Sequence, residues 1–565
     1  MKQLLQYLLL LFLFSCTFNP PETSQPKSGQ LFKKSQTIEN KGKYVTSANE
    51  LRVLFIYAMF SDDKLQSSGW ELNKSILPNW GKDIVNSGTE IDFPKANLTQ
   101  YFYEMSNGKF MLYGDVYPQI MVPNKNQSEY KNITEVNSEI LKRIDKEVDF
   151  SKYDNWSKDK NGKYINQPDG KVDMIFILYR DFENKMYFNN GWTGIAHLYL
   201  TEDITTDDGV KITTGRLDQG SGIQSRGGKH GFEYIKYVLA HEFGHFLFGA
   251  GHIENITNLG LMTGGPVWNA SRGMHSWEKE KLGWINFTEI NLNENSTIEL
   301  DDYLTTGEAG RIKLSDTEWY ILENHQKLIA NDWSGDKGIY IYHVWNAKNF
   351  SPSMKVECAD GNWDFKIDEQ NQKLIKTIPN VSGNTEMNFR KSVKSKSYAC
   401  FNEVYGANDA WGDEFDAFDL TYNNLFSPVS NPPSINNVKK EFAIKVKEQI
   451  GNKISVDIIF KDIYKNTPPS KPQILSVDET SNLTWLKNKE PDLAGYNLYY
   501  SDNNGKEIKQ FIDSEKDSFN LSSFLNSKSK NNFWLTSIDN DNNESVRNSF
   551  TVSKINDKLV LDRKE

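Results

Sequence analysis

The sequence predicts a multidomain chain: an α/β domain, then a mostly-β domain, then a β-sandwich. Three observations predict it. The chain has 565 residues, too many for one hydrophobic core. Apolar runs suited to buried strands alternate with helical patterns as far as residue 287, and short alternating segments replace them from 288 to 465. A Thr467-Pro468-Pro469-Ser470 linker then sets off a last stretch, residues 468–556, of short strands and polar turns.

The first residues read as a targeting segment. Leu4 to Phe14 is mostly apolar and has the length of a signal h-region. It ends at Leu13-Phe14-Ser15-Cys16, which resembles a bacterial lipobox. We therefore expect residues 1–16 to be a lipoprotein signal peptide and Cys16 to carry lipid. That anchors the chain to a membrane on its extracytoplasmic side. Residues 17–48, rich in Pro, Ser, Lys, Thr and Asn, read as a flexible tether.

The α/β domain is expected over 49–287. Leu51 to Tyr57 and Val172 to Tyr179 suit buried strands, and a helical pattern runs from Asn137 to Val148. In the mostly-β domain, Trp319-Tyr320-Ile321-Leu322 and Ile339-Tyr340-Ile341-Tyr342 read as strands. Cys358 and Cys400 both fall in this domain and could pair outside the cytoplasm. The alternative is two separate thiols.

Composition narrows the function. Charged residues make up 25% of the chain and the net charge is −10. A nucleic-acid partner is therefore not expected, because phosphate binding needs a basic face.

The chemistry-bearing motif is His241-Glu242-Phe243-Gly244-His245. On a helix, residues four apart project from one face, so His241 and His245 can grip one ion. Glu242 lies one step round, where a general base is needed. The chain holds only eight histidines, so a chance match is uncommon. Gly249 and His252 resemble the metzincin arrangement, in which a Gly ends the helix and a ligand follows three residues later; that resemblance makes His252 the preferred third ligand, through a turn at Gly249 or Gly251. A carboxylate from a second helix, Glu278 or Glu280, is the alternative. Met262, in Leu261-Met262-Thr263-Gly264-Gly265, resembles the metzincin methionine that lies under the metal, the alternative being a core Met in a Gly-rich loop. Asp154, Asp159, Asn161, Asp169 and Asp173 could supply oxygen ligands to calcium, although a solvated polar turn explains them as well. His197, His275 and His343 read as surface or packing histidines.

Several stretches together resemble the immune inhibitor A-type metallopeptidases, which are secreted bacterial zincins. They are Tyr101 to Phe110, Asp169-Gly170-Lys171-Val172-Asp173, the His241–His245 helix, Leu261 to Gly265, Trp277 to Trp284, Trp319 to Gln326 and Gly338 to Val344. The chain departs from the metzincin pattern H-E-x-x-H-x-x-G-x-x-H by one extra residue before Gly249. The resemblance implies a zincin-like catalytic domain, one catalytic zinc, often structural calcium, and hydrolysis of protein or peptide substrates. Substrate would lie extended along a sheet edge, for which Ala196 to Leu200 is expected. Competing expectations are an idle zincin-fold adhesion lipoprotein and a peptidase for glycosylated, mucin-like proteins. Leu483-Thr484-Trp485, Ala494 to Tyr500 and Trp534 to Asp539 resemble a fibronectin type III domain.

Overall fold

The structure is a computed structural model describing residues 30–35, 39–67, 69–73, 76–187, 194–228, 231–253, 259–262, 273–332, 334–347, 352–359, 365–368, 373–376, 415–502, 504–525, 530–555 and 558–563. The chain is multidomain and sheet-rich, with 16% helix and 35% strand. Among the described residues no helix is long and apolar enough to cross a membrane. Cys16 and Cys400 lie outside the described residues, as does most of 350–414. Cys358 is buried.

The first sheet contains β1 (Asn49–Ala58), β2 (Phe110–Met121), β3 (Ile175–Tyr179), β4 (Gly194–Ile195) and β5 (Gly222–Arg226), in the order β2-β1-β3-β5-β4. All neighbours pair parallel except β4, which runs antiparallel to β5 at the edge. Both faces are covered, which is why β1 reads as an unbroken apolar run. Val53, Phe55 and Tyr57 enter one core with α1 (Leu98–Met105) and α3 (Phe232–Phe248). Leu54, Ile56 and Ala58 enter a second core with α2 (Ile133–Ile144). α2 begins four residues before the expected Asn137, because the Asn132 side chain caps the Thr134 N–H. A fourth helix, α4 (Ser276–Lys281), follows α3.

The next region forms a two-stranded sheet, Phe365–Asp368 with Lys373–Lys376, and two larger ones. One comprises β6 (Thr288–Glu289), β8 (Ala309–Lys313), β9 (Glu318–His325), β10 (Gly338–Trp345) and β11 (Ser353–Val356), in that order. The other orders β7 (Ser296–Leu300), β14 (Lys453–Ile459), β13 (Ala443–Ile450) and β12 (Leu425–Phe426). Every residue of β9 is buried. Trp319 and Ile321 point into the core shared with α3, and Tyr320 and Leu322 into the core between the two sheets. The expected boundary at 287/288 therefore does not divide the hydrophobic core. This region is one wall of the first domain.

The last body is a sandwich. One sheet orders β15 (Gln473–Val477), β16 (Asn482–Leu486) and β19 (Ser518–Asn520). The other orders β18 (Glu507–Asp513), β17 (Leu493–Ser501), β20 (Lys530–Asp539), β21 (Asn548–Ile555) and β22 (Lys558–Arg563). β22 extends this body past the expected end at 556. Trp485, Tyr496, Leu498 and Leu535 fill its interior.

The expected tether, 17–48, is too long. Residues 43 and 44 donate their N–H groups to the last carbonyls of α3, Lys43 to Leu247 and Tyr44 to Phe246, both at 2.9 Å. Ser47 Oγ donates to Leu282 O at 3.0 Å, and Trp284 Nε1 donates to Ser47 O at 2.6 Å. Val45, Thr46 and Ser47 are buried. Bonds that close orphan helix carbonyls do not leave a segment free.

Candidate metal centre

α3 carries the motif because its apolar positions face the shared core: Ile235, Leu239, Phe243 and Phe246 are all buried there. The helix runs to Phe248 and stops at Gly249, whose φ is +106°, a conformation that an L side chain resists. Gly249 N–H donates to His245 O at 2.8 Å. A Cβ there would stand 2.7 Å from Lys43 Nζ. The turn falls at Gly249 and not at Gly251, and it brings His252 back over the helix.

His241, His245 and His252 converge with their ligand nitrogens all within 4.8 Å of one another. Ring centroids lie 5.0, 4.9 and 5.2 Å apart, so no ring is displaced from the group. The outer nitrogens have carbonyl partners. His241 Nδ1 lies 2.7 Å from Leu261 O and His245 Nδ1 lies 2.9 Å from Gly249 O. A carbonyl only accepts, so each Nδ1 must carry the proton and each Nε2 a lone pair. His241 Nε2 and His252 Nε2 are 3.2 Å apart. Two ligands at zinc–nitrogen bond lengths of about 2.0–2.1 Å in a tetrahedron stand about 3.3–3.4 Å apart. The residues present therefore fit a zinc ion.

One carboxylate organises the floor. Glu278, fully buried on α4, accepts from Leu261 N–H at 3.0 Å and Met262 N–H at 2.6 Å. Leu261 O in turn holds His241, and Met262 O accepts from Ile253 N–H at 2.7 Å, beside His252. Glu278 thus fixes two ligands through the backbone. It is not itself part of the ligand group, nor is Glu280. Met262 Sδ packs against Gly244, where a Cβ would leave it no room. Glu323 on β9 accepts from Ser276 N–H at 2.6 Å, and so seats the start of α4.

Glu242 sits one residue beyond His241, beside the edge strand. A Cβ on Gly194 would come within 2.7 Å of its Oε1. Burial pushes Glu242 up to about 8, and the Ala196 N–H that it accepts pulls the other way. The edge strand is Gly194–Ile195, two residues earlier than expected. His197–Leu198 instead pairs with Gly215–Arg216 in a separate antiparallel ribbon. His197 is half-buried, and burial, Arg216 and His245 hold it down to about 4. His275 and His343 are buried away from the group. His275 caps α4, accepting from Glu278 N–H at 3.3 Å, and His343 pairs with Glu318 at 2.7 Å.

The carboxylates expected to offer oxygen to calcium also accept backbone hydrogen bonds. Asp154 accepts from Asp169 N–H and Gly170 N–H, both at 2.8 Å. Asp173 accepts from Asn155 N–H at 2.7 Å and Trp156 N–H at 3.2 Å. These bonds tie the turn together. Among the described residues the histidine triad is the group able to hold an ion.

No family model matches the chain, and no curated protein matches it. Among solved structures, the Clostridium perfringens spore cortex lytic enzyme SleM aligns at 17% identity with a TM-score of 0.14. The alignment covers 19% of this chain and 37% of that one, a likeness too slight to support any argument.

Proposed function

We propose that the chain is a zinc-dependent endopeptidase with a zincin-like catalytic domain, resembling the immune inhibitor A-type enzymes and anchored by lipid outside the cytoplasmic membrane. The observation that carries this reading is the convergence of three imidazole ligand nitrogens beside a half-buried carboxylate at a sheet edge. Zinc, when bound, supplies Lewis acidity: it polarises a carbonyl oxygen and acidifies a water molecule. His241, His245 and His252 would hold it, the tautomers of His241 and His245 being fixed by Leu261 O and Gly249 O. Glu242 takes a proton from the attacking water and delivers it to the leaving amine nitrogen. β4 offers an antiparallel edge along which a peptide can lie extended, with Gly194 leaving space next to Glu242. The strand order of the terminal sandwich, with β15-β16-β19 facing β18-β17-β20-β21, supports a fibronectin type III-like module.

Casein and mucin-type proteins should be offered to the purified chain with and without a chelator, beside Glu242→Ala. Chelator-sensitive cleavage that falls by about 10²- to 10⁴-fold in the variant is expected. Cleavage unchanged in Glu242→Ala would sink the reading. Zinc bound with no cleavage of anything would point to an adhesion role instead.

A further inference from the structure

Four side chains that the hydrolytic reading does not use gather beside the metal centre. The ribbon 197–198/215–216 places Arg216 directly across from His197. Arg216 Nε donates to Tyr199 Oη at 3.0 Å. His197 stacks edge-on to Tyr199 at 5.3 Å between centroids, and its Nδ1 lies 3.4 Å from Tyr187 Oη. The cluster reaches the catalytic groups: His197 feels His245, and Tyr187 feels Glu242. The turn after Arg216, Leu217–Gln219, lies against α3.

Arg216 is exposed, and among the described residues no carboxylate pairs with it. An arginine is normally fixed by an acid, and this one is fixed by a phenol through Nε alone. Its two η nitrogens have no described protein partner and face solvent. A guanidinium presents those nitrogens as a fork that matches a carboxylate bidentately. The tyrosines flanking it are rigid and amphipathic, suited to pack the apolar part of a ligand.

We propose that Arg216, oriented by Tyr199, is a specificity residue that selects substrates carrying a carboxylate beside the scissile bond. The inference rests on the hydrolytic reading above, because it takes the metal centre as the place where the bond is cut. The carboxylate has two chemical sources: an acidic amino-acid side chain or a sialic acid on a glycosylated substrate. Both present the same planar group to the fork, while the rest of the ligand differs.

The test is binding, so it does not depend on turnover. Zinc-loaded Glu242→Ala protein is titrated calorimetrically with two probe pairs. One is a positional peptide set in which each position is sampled as Glu and as Gln. The other is a sialylated glycopeptide and its desialylated form. The proposal expects one pair to show about tenfold tighter binding of the carboxylate member. That ratio should collapse towards one when Arg216→Gln is added, and favour a Lys-containing peptide when Arg216→Glu is added. Tyr199→Phe should lower the ratio by severalfold, because it frees the guanidinium. Arg216 is exposed, and a circular dichroism melt of each variant checks that folding is intact. The pair that shows the ratio identifies the source. No preference in either pair, or a preference that survives Arg216→Gln, overturns the proposal. Failure of chelator-sensitive cleavage in the wild type bears on the hydrolytic reading alone, since the binding ratios are measured without it.

Discussion

His252 stands where the sequence spacing is least regular, and the reason is a single backbone angle. The extra residue before Gly249 is absorbed by continuing α3 through Phe248, and the positive φ of Gly249 then folds the chain back. His241, Glu242 and His245 were legible from spacing alone, because a helix puts residues four apart on one face. His252 was legible only as a preference, since nothing in the sequence states where a glycine will turn. In His252→Ala we expect zinc affinity to collapse, read by metal analysis after dialysis against a weak chelator. Glu242→Ala should instead retain zinc, since Glu242 lies outside the ligand group. Arg216 gave no sequence signal, because its neighbours come from a strand pairing nineteen residues back.

The same limits apply to whole elements. α4 was expected to supply either a ligand or nothing, yet its Glu278 anchors the Leu261–Met262 backbone that holds His241 and Ile253. A buried carboxylate that accepts two backbone N–H bonds looks, in sequence, the same as one that binds a metal. Glu278→Gln is expected to weaken zinc binding by about 10- to 100-fold while leaving one site per chain, as measured by competition with a chromophoric chelator. Gly244→Ala should displace Met262 from beneath the helix and lower thermal stability. β4 is two residues long, too short for an alternating pattern to announce it. That is why the expected edge fell on the neighbouring ribbon.

At the scale of the molecule, the sequence separates domains by pattern, while the structure joins them by packing. β9 reads as strand because of its run Trp319-Tyr320-Ile321-Leu322, but pattern cannot say that its two faces enter different cores. The wall it forms also carries charge. Burial would pull His325 down, but Asp332 at 2.9 Å and Glu323 at 3.0 Å outweigh it and push His325 up to about 10. That value lies above its ordinary 6.5, so the pair's stability is fully present below pH 6.5 and is lost as pH rises through about 10. Asp332, held down to about 2, is the other half of the same pair and loses its share as pH falls from 3.8 through that value. Denaturant midpoints should therefore decline between about pH 7 and about pH 10, and His325→Gln should flatten that decline. The variant should also be about 3–5 kcal/mol less stable near neutrality, since it strands two buried carboxylates. Because Glu323 also seats α4, a chain cut after residue 287 is expected neither to fold nor to bind zinc.

Native mass spectrometry of the zinc-loaded wild type, His252→Ala and Glu242→Ala tests the central claim most directly. One zinc per chain is predicted in the wild type and in Glu242→Ala, and none in His252→Ala. A wild type that takes up no zinc, or a His252→Ala protein that keeps it as tightly, would contradict the account.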